Sequence, residues 1–148
     1  MNKINTLSTK NAIILYIVID VICVGAGMGV PIFCILLGFP LGWYITRRAC
    51  ASSPDRHSVY AKIMRSSLLA ALFTFALMLI IWGKMLPMLF NPGTDFGNFG
   101  HPFILYEPKA SFIAWLALMV LISPFLQLLA AIFASFVALM REPASTGS

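Results

Sequence analysis

The chain has 148 residues, of which 60% are hydrophobic and only 10% charged, with ten Lys and Arg against five Asp and Glu for a net charge of +5. Water-soluble domains carry about a quarter charged residues, so this composition excludes a globule covered by ionic side chains. Nor does the positive charge point to nucleic acid: Lys3, Lys10, Arg47, Arg48, Arg56, Lys62, Arg65 and Arg141 flank long apolar blocks, the placement by which basic residues set membrane topology.

The first apolar block runs from Asn11 to Ile45. As one helix, at about 1.5 Å per residue, it would reach about 50 Å, well beyond a hydrocarbon core of about 30 Å. Within it, Gly25-Ala26-Gly27-Met28-Gly29-Val30-Pro31 combines three glycines with a proline, the chemistry of a tight turn. The block therefore divides into a first span over 12–29 and a second over 31–46, paired as a hairpin. A cleaved leader would also place Lys3 and Lys10 before an apolar run, but the apolar run continues past the small residues at Gly25 to Gly27, which favours a retained span. Asp20 stands near the middle of the first span, where a charged carboxylate costs about 2.5–3.5 kcal/mol on insertion scales. It needs a partner, a proton or a polar cavity. Trp43 and Tyr44, followed by Arg47 and Arg48, close the second span as an interfacial anchor. Gly25 with Gly29, and Gly38 with Gly42, have the GxxxG spacing that lets helix backbones approach closely, within this chain or against another subunit, although the first pair can equally serve only the hairpin turn.

A cytoplasmic connection is expected over 47–66. Ser52-Ser53-Pro54-Asp55 reads as a helix start with Ser53 as its cap, placing Val59, Tyr60 and Ile63 against lipid or protein and Arg56, Lys62 and Arg65 at the headgroups. The third span covers 67–90. It carries Lys84 in its outer third, within about one turn of the depth of Asp20, so the two either pair or are satisfied separately by hydroxyls and by snorkelling. The outer loop, 91–109, is rich in glycine, proline and aromatics, and Phe96, Phe99 and Phe103 are its candidate partner contacts. Its Asp95, His101 and Glu107 match no metal-ligand spacing. In the fourth span, 110–140, Pro124 after Ser123 predicts a kink that neighbouring helices or the serine hydroxyl can accommodate. Ala130, Ala134 and Ala138 give that span a small-residue face, with Ala131 and Ser135 on the next ridge.

The expected fold is an all-α membrane protein of four transmembrane helices in a single polytopic domain, with both termini cytoplasmic. Eight basic residues then share one side, whereas a three-span arrangement would export Lys3 and Lys10. The chain carries no GxSxG, HExxH or paired-carboxylate motif, its two histidines fall in loops, and its three cysteines form no CxxC. Catalysis, a metal centre and a bis-histidine haem are therefore not expected, nor is any cofactor. The expected role is a non-catalytic accessory or scaffold subunit in a plasma membrane, by analogy with prokaryotic inner-membrane proteins, with the bilayer and other membrane subunits or copies of itself as partners. The alternative is a self-assembling pore or small ion- or proton-coupled transporter in which Asp20 lines a polar path.

Overall fold

The computed structural model describes residues 8–27, 31–52, 55–98, 100 and 104–141. They form α1 (Thr9–Gly27), α2 (Ile32–Ser52), α3 (Arg56–Trp82), α4 (Pro108–Ala117) and α5 (Ser123–Arg141). A 3₁₀ run, Gly83–Phe90, prolongs α3, and a π-helical turn, Leu118–Ile122, joins α4 to α5 in one continuous rod. The described residues thus form an all-helical structure without a strand, and two stretches, Arg56–Phe90 and Pro108–Arg141, are long and apolar enough to cross a membrane.

The first apolar block is two helices, as the glycine-proline run predicts, although the turn residues Met28, Gly29 and Val30 lie outside the described residues. Beyond the turn, α2 continues through the exposed Pro40 to Ser52, six residues past the expected end of the second span. The connection expected over 47–66 is accordingly almost all helix. Asp55, not Ser53, caps α3 among the described residues: its carboxylate accepts the Ser58 N–H at 3.1 Å, the Ser58 hydroxyl at 3.0 Å and the His57 N–H at 3.4 Å. Ser53 and Pro54 lie outside the described residues. Those bonds, the Ser58 N–H foremost, hold the Asp55 carboxyl below the usual carboxylate range. Val59 and Ile63 pack inward on Ala49 of α2, while Tyr60 is exposed.

Two departures from regular α-helix follow from prolines. Pro87 cannot donate to the i−4 carbonyl and its ring would strike it, and the expected span 67–90 is α-helical only to Trp82 before it tightens. Near Pro124 the rod inserts a π turn in which the Ser123 N–H bonds the Leu118 carbonyl, five residues back. The wider turn relieves the ring's clash, and of the two means expected to accommodate it the serine is not used: the Ser123 hydroxyl is buried and lacks a hydrogen-bond partner.

The tightest seam lies between α2 and α5. A Cβ added at Gly42 would overlap the Ala131 carbonyl, and one at Gly38 would overlap the Gln127 carbonyl and sit 2.8 Å from Ala130 Cβ. Ala130, Ala131, Ala134 and Ala138 are all buried along it, and the Ser135 hydroxyl reaches the Gly42 carbonyl at 3.1 Å. Gly38 and Gly42 therefore meet this chain's own α5. Gly25, by contrast, has nothing within 4 Å of an added Cβ, and its spacing partner Gly29 lies outside the described residues.

A second core gathers Val24, Cys34, Met78, Phe112, Trp115 and Met119, with Trp82 edge-on to Trp115 at 4.8 Å. Phe96, half-buried, packs on Phe112 at 5.2 Å and so joins this core from the loop. Phe99 and Phe103 lie outside the described residues.

Candidate functional site

Deep among the helices, α1, α3 and α5 each contribute to one polar cluster. Tyr16 and Asp20 are one turn apart on α1 and so share a face. Asp20 is 0% exposed, and its Oδ2 accepts the Thr74 hydroxyl at 2.8 Å. The Tyr16 hydroxyl donates to the Ala70 carbonyl at 3.0 Å, stands 3.0 Å from Thr74 Oγ1, and receives the Gln127 Nε2 at 3.3 Å. Thr74 Oγ1 is also 3.2 Å from the Ala70 carbonyl, but one hydroxyl carries one proton. Because Tyr16 serves that carbonyl, the Thr74 proton is available to Asp20. Tyr16 is further fixed edge-on to Phe73 at 6.1 Å.

The cluster is rich in acceptors. Asp20 Oδ1 and Gln127 Oε1 are both buried without a hydrogen-bond partner, and the Gln127 side chain lies beside the Asp20 carboxyl. A buried acceptor left unpaired costs about 1–3 kcal/mol, so the carboxyl calls for a donor, which turning the Gln127 amide over would bring to it. Lys84 does not supply it. It is exposed on the 3₁₀ run, where the change from 3.6 to about 3 residues per turn alters the face it occupies, while the described partner of Asp20 is Thr74. Of the two outcomes expected for this pair, the structure has separate satisfaction, with a hydroxyl on the carboxylate.

In sequence Thr74 and Gln127 are ordinary polar residues within apolar runs, and Tyr16 carries a signal that is easily passed over, its i−4 spacing from Asp20. Among the described residues no three His, Cys, Asp or Glu side chains gather to hold a metal ion.

At the opposite extreme of the helices from the Phe96 loop, the basic residues converge. The guanidinium groups of Arg47 and Arg141 lie 5.7 and 5.6 Å from the Trp43 ring centroid. Arg48 donates to the Tyr44 hydroxyl at 2.9 Å and to the Thr9 hydroxyl, and Lys62 reaches the Ser52 hydroxyl at 3.1 Å. The start of α1, the ends of α2 and α5 and the start of α3 thus share one basic end. Comparison with protein-family models, curated proteins and solved structures returned no match.

Proposed function

We propose that the chain is a four-span, multi-pass membrane protein with both termini on the cytoplasmic side of a plasma membrane, acting as a non-catalytic accessory or scaffold subunit of a membrane complex. The observation that carries the membrane reading is an inverted distribution of polarity. Asp20, Thr74, Ser111, Ser123 and Gln127 are buried, whereas Ile14, Ile22, Leu69, Ile80 and Phe133 are each about 58–70% exposed on the outside. Water would penalise such an exterior, and hydrocarbon would not. At about 1.5 Å per residue, α1 is about 28 Å long, close to a core of about 30 Å. The basic end then faces the cytoplasm.

The scaffold reading draws on how the helices are spent. The small-residue seam and Phe96 are engaged within the chain, and Phe90, Ile104, Leu105 and Tyr106 stay exposed at the loop end. Those apolar groups suit contact with a neighbouring subunit. The test is extraction in mild detergent and native mass measurement, followed by Phe90→Ala and Tyr106→Ala. A stoichiometric larger complex that these changes loosen supports the reading; a lone monomer unaffected by them refutes it.

A second reading rests on the orphaned acceptors of Asp20 and Gln127, which suit a proton or small cation in transit. It requires flux through liposomes reconstituted with the purified chain, reduced by Asp20→Asn. Silent vesicles across a range of pH would sink it.

A further inference from the structure

Arg48, late in α2, reaches Thr9 at the start of α1, so the two helices run antiparallel and the break between them lies at the end away from the basic residues. Each helix carries a cysteine close to that break. Cys23 precedes the last residue of α1 by four positions and Cys34 follows the first residue of α2 by two, which puts them about 6 and 3 Å in from the helix ends. We propose that Cys23 and Cys34 are a redox pair that closes into a disulfide on the extracytoplasmic side and staples α1 to α2. The inference rests on the membrane reading above, which puts this end of the hairpin opposite the cytoplasmic basic end.

Three observations carry it. First, the thiols are neighbours: Cys34 is 1% exposed in the core of Val24, Met78 and Phe112, Cys23 packs against the same core, and the two lie within electrostatic reach of each other. Second, the chain has three cysteines, and the remaining one, Cys50, packs on the Ala49 and Val59 cluster at the basic end. The outer end therefore holds an even pair with no competing thiol, on the side of a membrane where disulfides form and persist. Third, Arg48 holds the start of α1 and the Thr74 contact of Asp20 holds its middle, so a bond at Cys23 would fix the one end that these contacts leave. The chemistry is thiol–disulfide exchange with a disulfide-bearing oxidant outside the cell. The half-buried Cys23, as thiolate, attacks that disulfide and releases one thiol. Enclosed Cys34, as thiolate, then attacks the Cys23 sulfur and expels the second. The pair gives up two protons and two electrons, and the oxidant becomes two thiols.

The test is thiol counting on the full chain in sealed, right-side-out vesicles. The chain is reduced with dithiothreitol, the reductant is washed out, glutathione disulfide is added outside, and the protein is then denatured in excess maleimide for intact mass measurement and peptide mapping. The expected result is a fall from three maleimides per chain to one, carried by Cys50, with a Cys23–Cys34 linked peptide that a second reduction removes. Cys34→Ala should stop at a glutathione adduct on Cys23, and Cys23→Ala should leave the enclosed Cys34 as a thiol. Three maleimides with oxidant on both sides of the membrane, a bond that includes Cys50, or bonds only between copies would each overturn the pair. A Cys23–Cys34 bond that forms only when the oxidant is admitted to the vesicle interior would instead overturn the topology on which its compartment rests, so the two failures are distinct.

Discussion

The seam between α2 and α5 and the attachment of α1 hold the molecule together in opposite ways. Along the seam, glycine and alanine remove side-chain volume until backbone meets backbone, and the Ser135 hydroxyl closes on the Gly42 carbonyl at 3.1 Å. At α1, the approach is through long polar side chains: Asp20 to Thr74, and Tyr16 to the Ala70 carbonyl and Gln127. In the bilayer proposed for this chain, apolar burial gives no preference for helix over lipid, so close van der Waals contact and hydrogen bonds are the two means left for association. The first tolerates no added atom, and the second depends on matching donors to acceptors.

That contrast is broken most strongly at Gly42. Gly42→Ala puts a methyl group into the Ala131 backbone, which cannot rotate aside, so the helices must separate at a cost of about 3 kcal/mol. Denaturant titration in detergent should show the loss. Gly25→Ala is the control, with nothing within 4 Å and a gain in helix propensity of up to about 1 kcal/mol. Equal effects of the two would mean that the seam is not closely packed.

Next in size is Thr74→Val, which keeps the shape but leaves both Asp20 oxygens without a donor. The expected loss is about 1–3 kcal/mol, with most of it recovered in Thr74→Ser. A double-mutant cycle with Asp20→Asn should return a coupling energy; additivity would show that the hydrogen bond contributes nothing. Ser135→Ala should cost less, about 0.5–1 kcal/mol, because the Thr46 hydroxyl still serves the Gly42 carbonyl at 2.9 Å.

How these two regions read from sequence differs for the same physical reason. Gly38, Gly42, Ala130 and Ala134 announce a small-residue face by spacing alone, because a groove is a property of one helix. Which helix fills it is a tertiary fact, and the spacing does not distinguish α5 from a second subunit. The same spacing at Gly25 leads to open space. Asp20 is conspicuous by its charge, but its partner is not: depth along the helices favours Lys84, whereas Pro87 and Gly83 draw that segment into a 3₁₀ run and Thr74 takes the contact. The break in the first apolar block is legible because turn chemistry is local. Irregular turns at Pro124 and Pro87 are half legible, since a proline signals a disturbance without specifying a π or a 3₁₀ solution.

The smallest effect lies outside both regions, at the cap of α3. The Asp55 carboxyl is held below its usual range by the N–H groups of Ser58 and His57 and by the Ser58 hydroxyl. A depressed carboxyl contributes stability above its unfolded pKa, near 3.9, and loses it as pH falls through the lower folded value. The protection factors of the His57 and Ser58 amides, taken against their intrinsic exchange rates, should therefore be higher at pH 6 than below pH 4, while Asp55→Asn should flatten that dependence. The close contacts of the α2–α5 seam, made by Gly38, Gly42, Ala130 and Ala131, should not respond.

The central claim, that the apolar exterior faces lipid and the basic end faces the cytoplasm, is tested most directly by labelling in sealed, right-side-out vesicles. Single cysteines at Ser8, Ser58 and Thr94, in a chain whose Cys23, Cys34 and Cys50 are replaced by serine or alanine, would be exposed to a membrane-impermeant maleimide. The account predicts that position 94 reacts at once and that positions 8 and 58 react only after permeabilisation. Reaction of 8 and 58 from opposite sides, or of all three in intact vesicles, would contradict it.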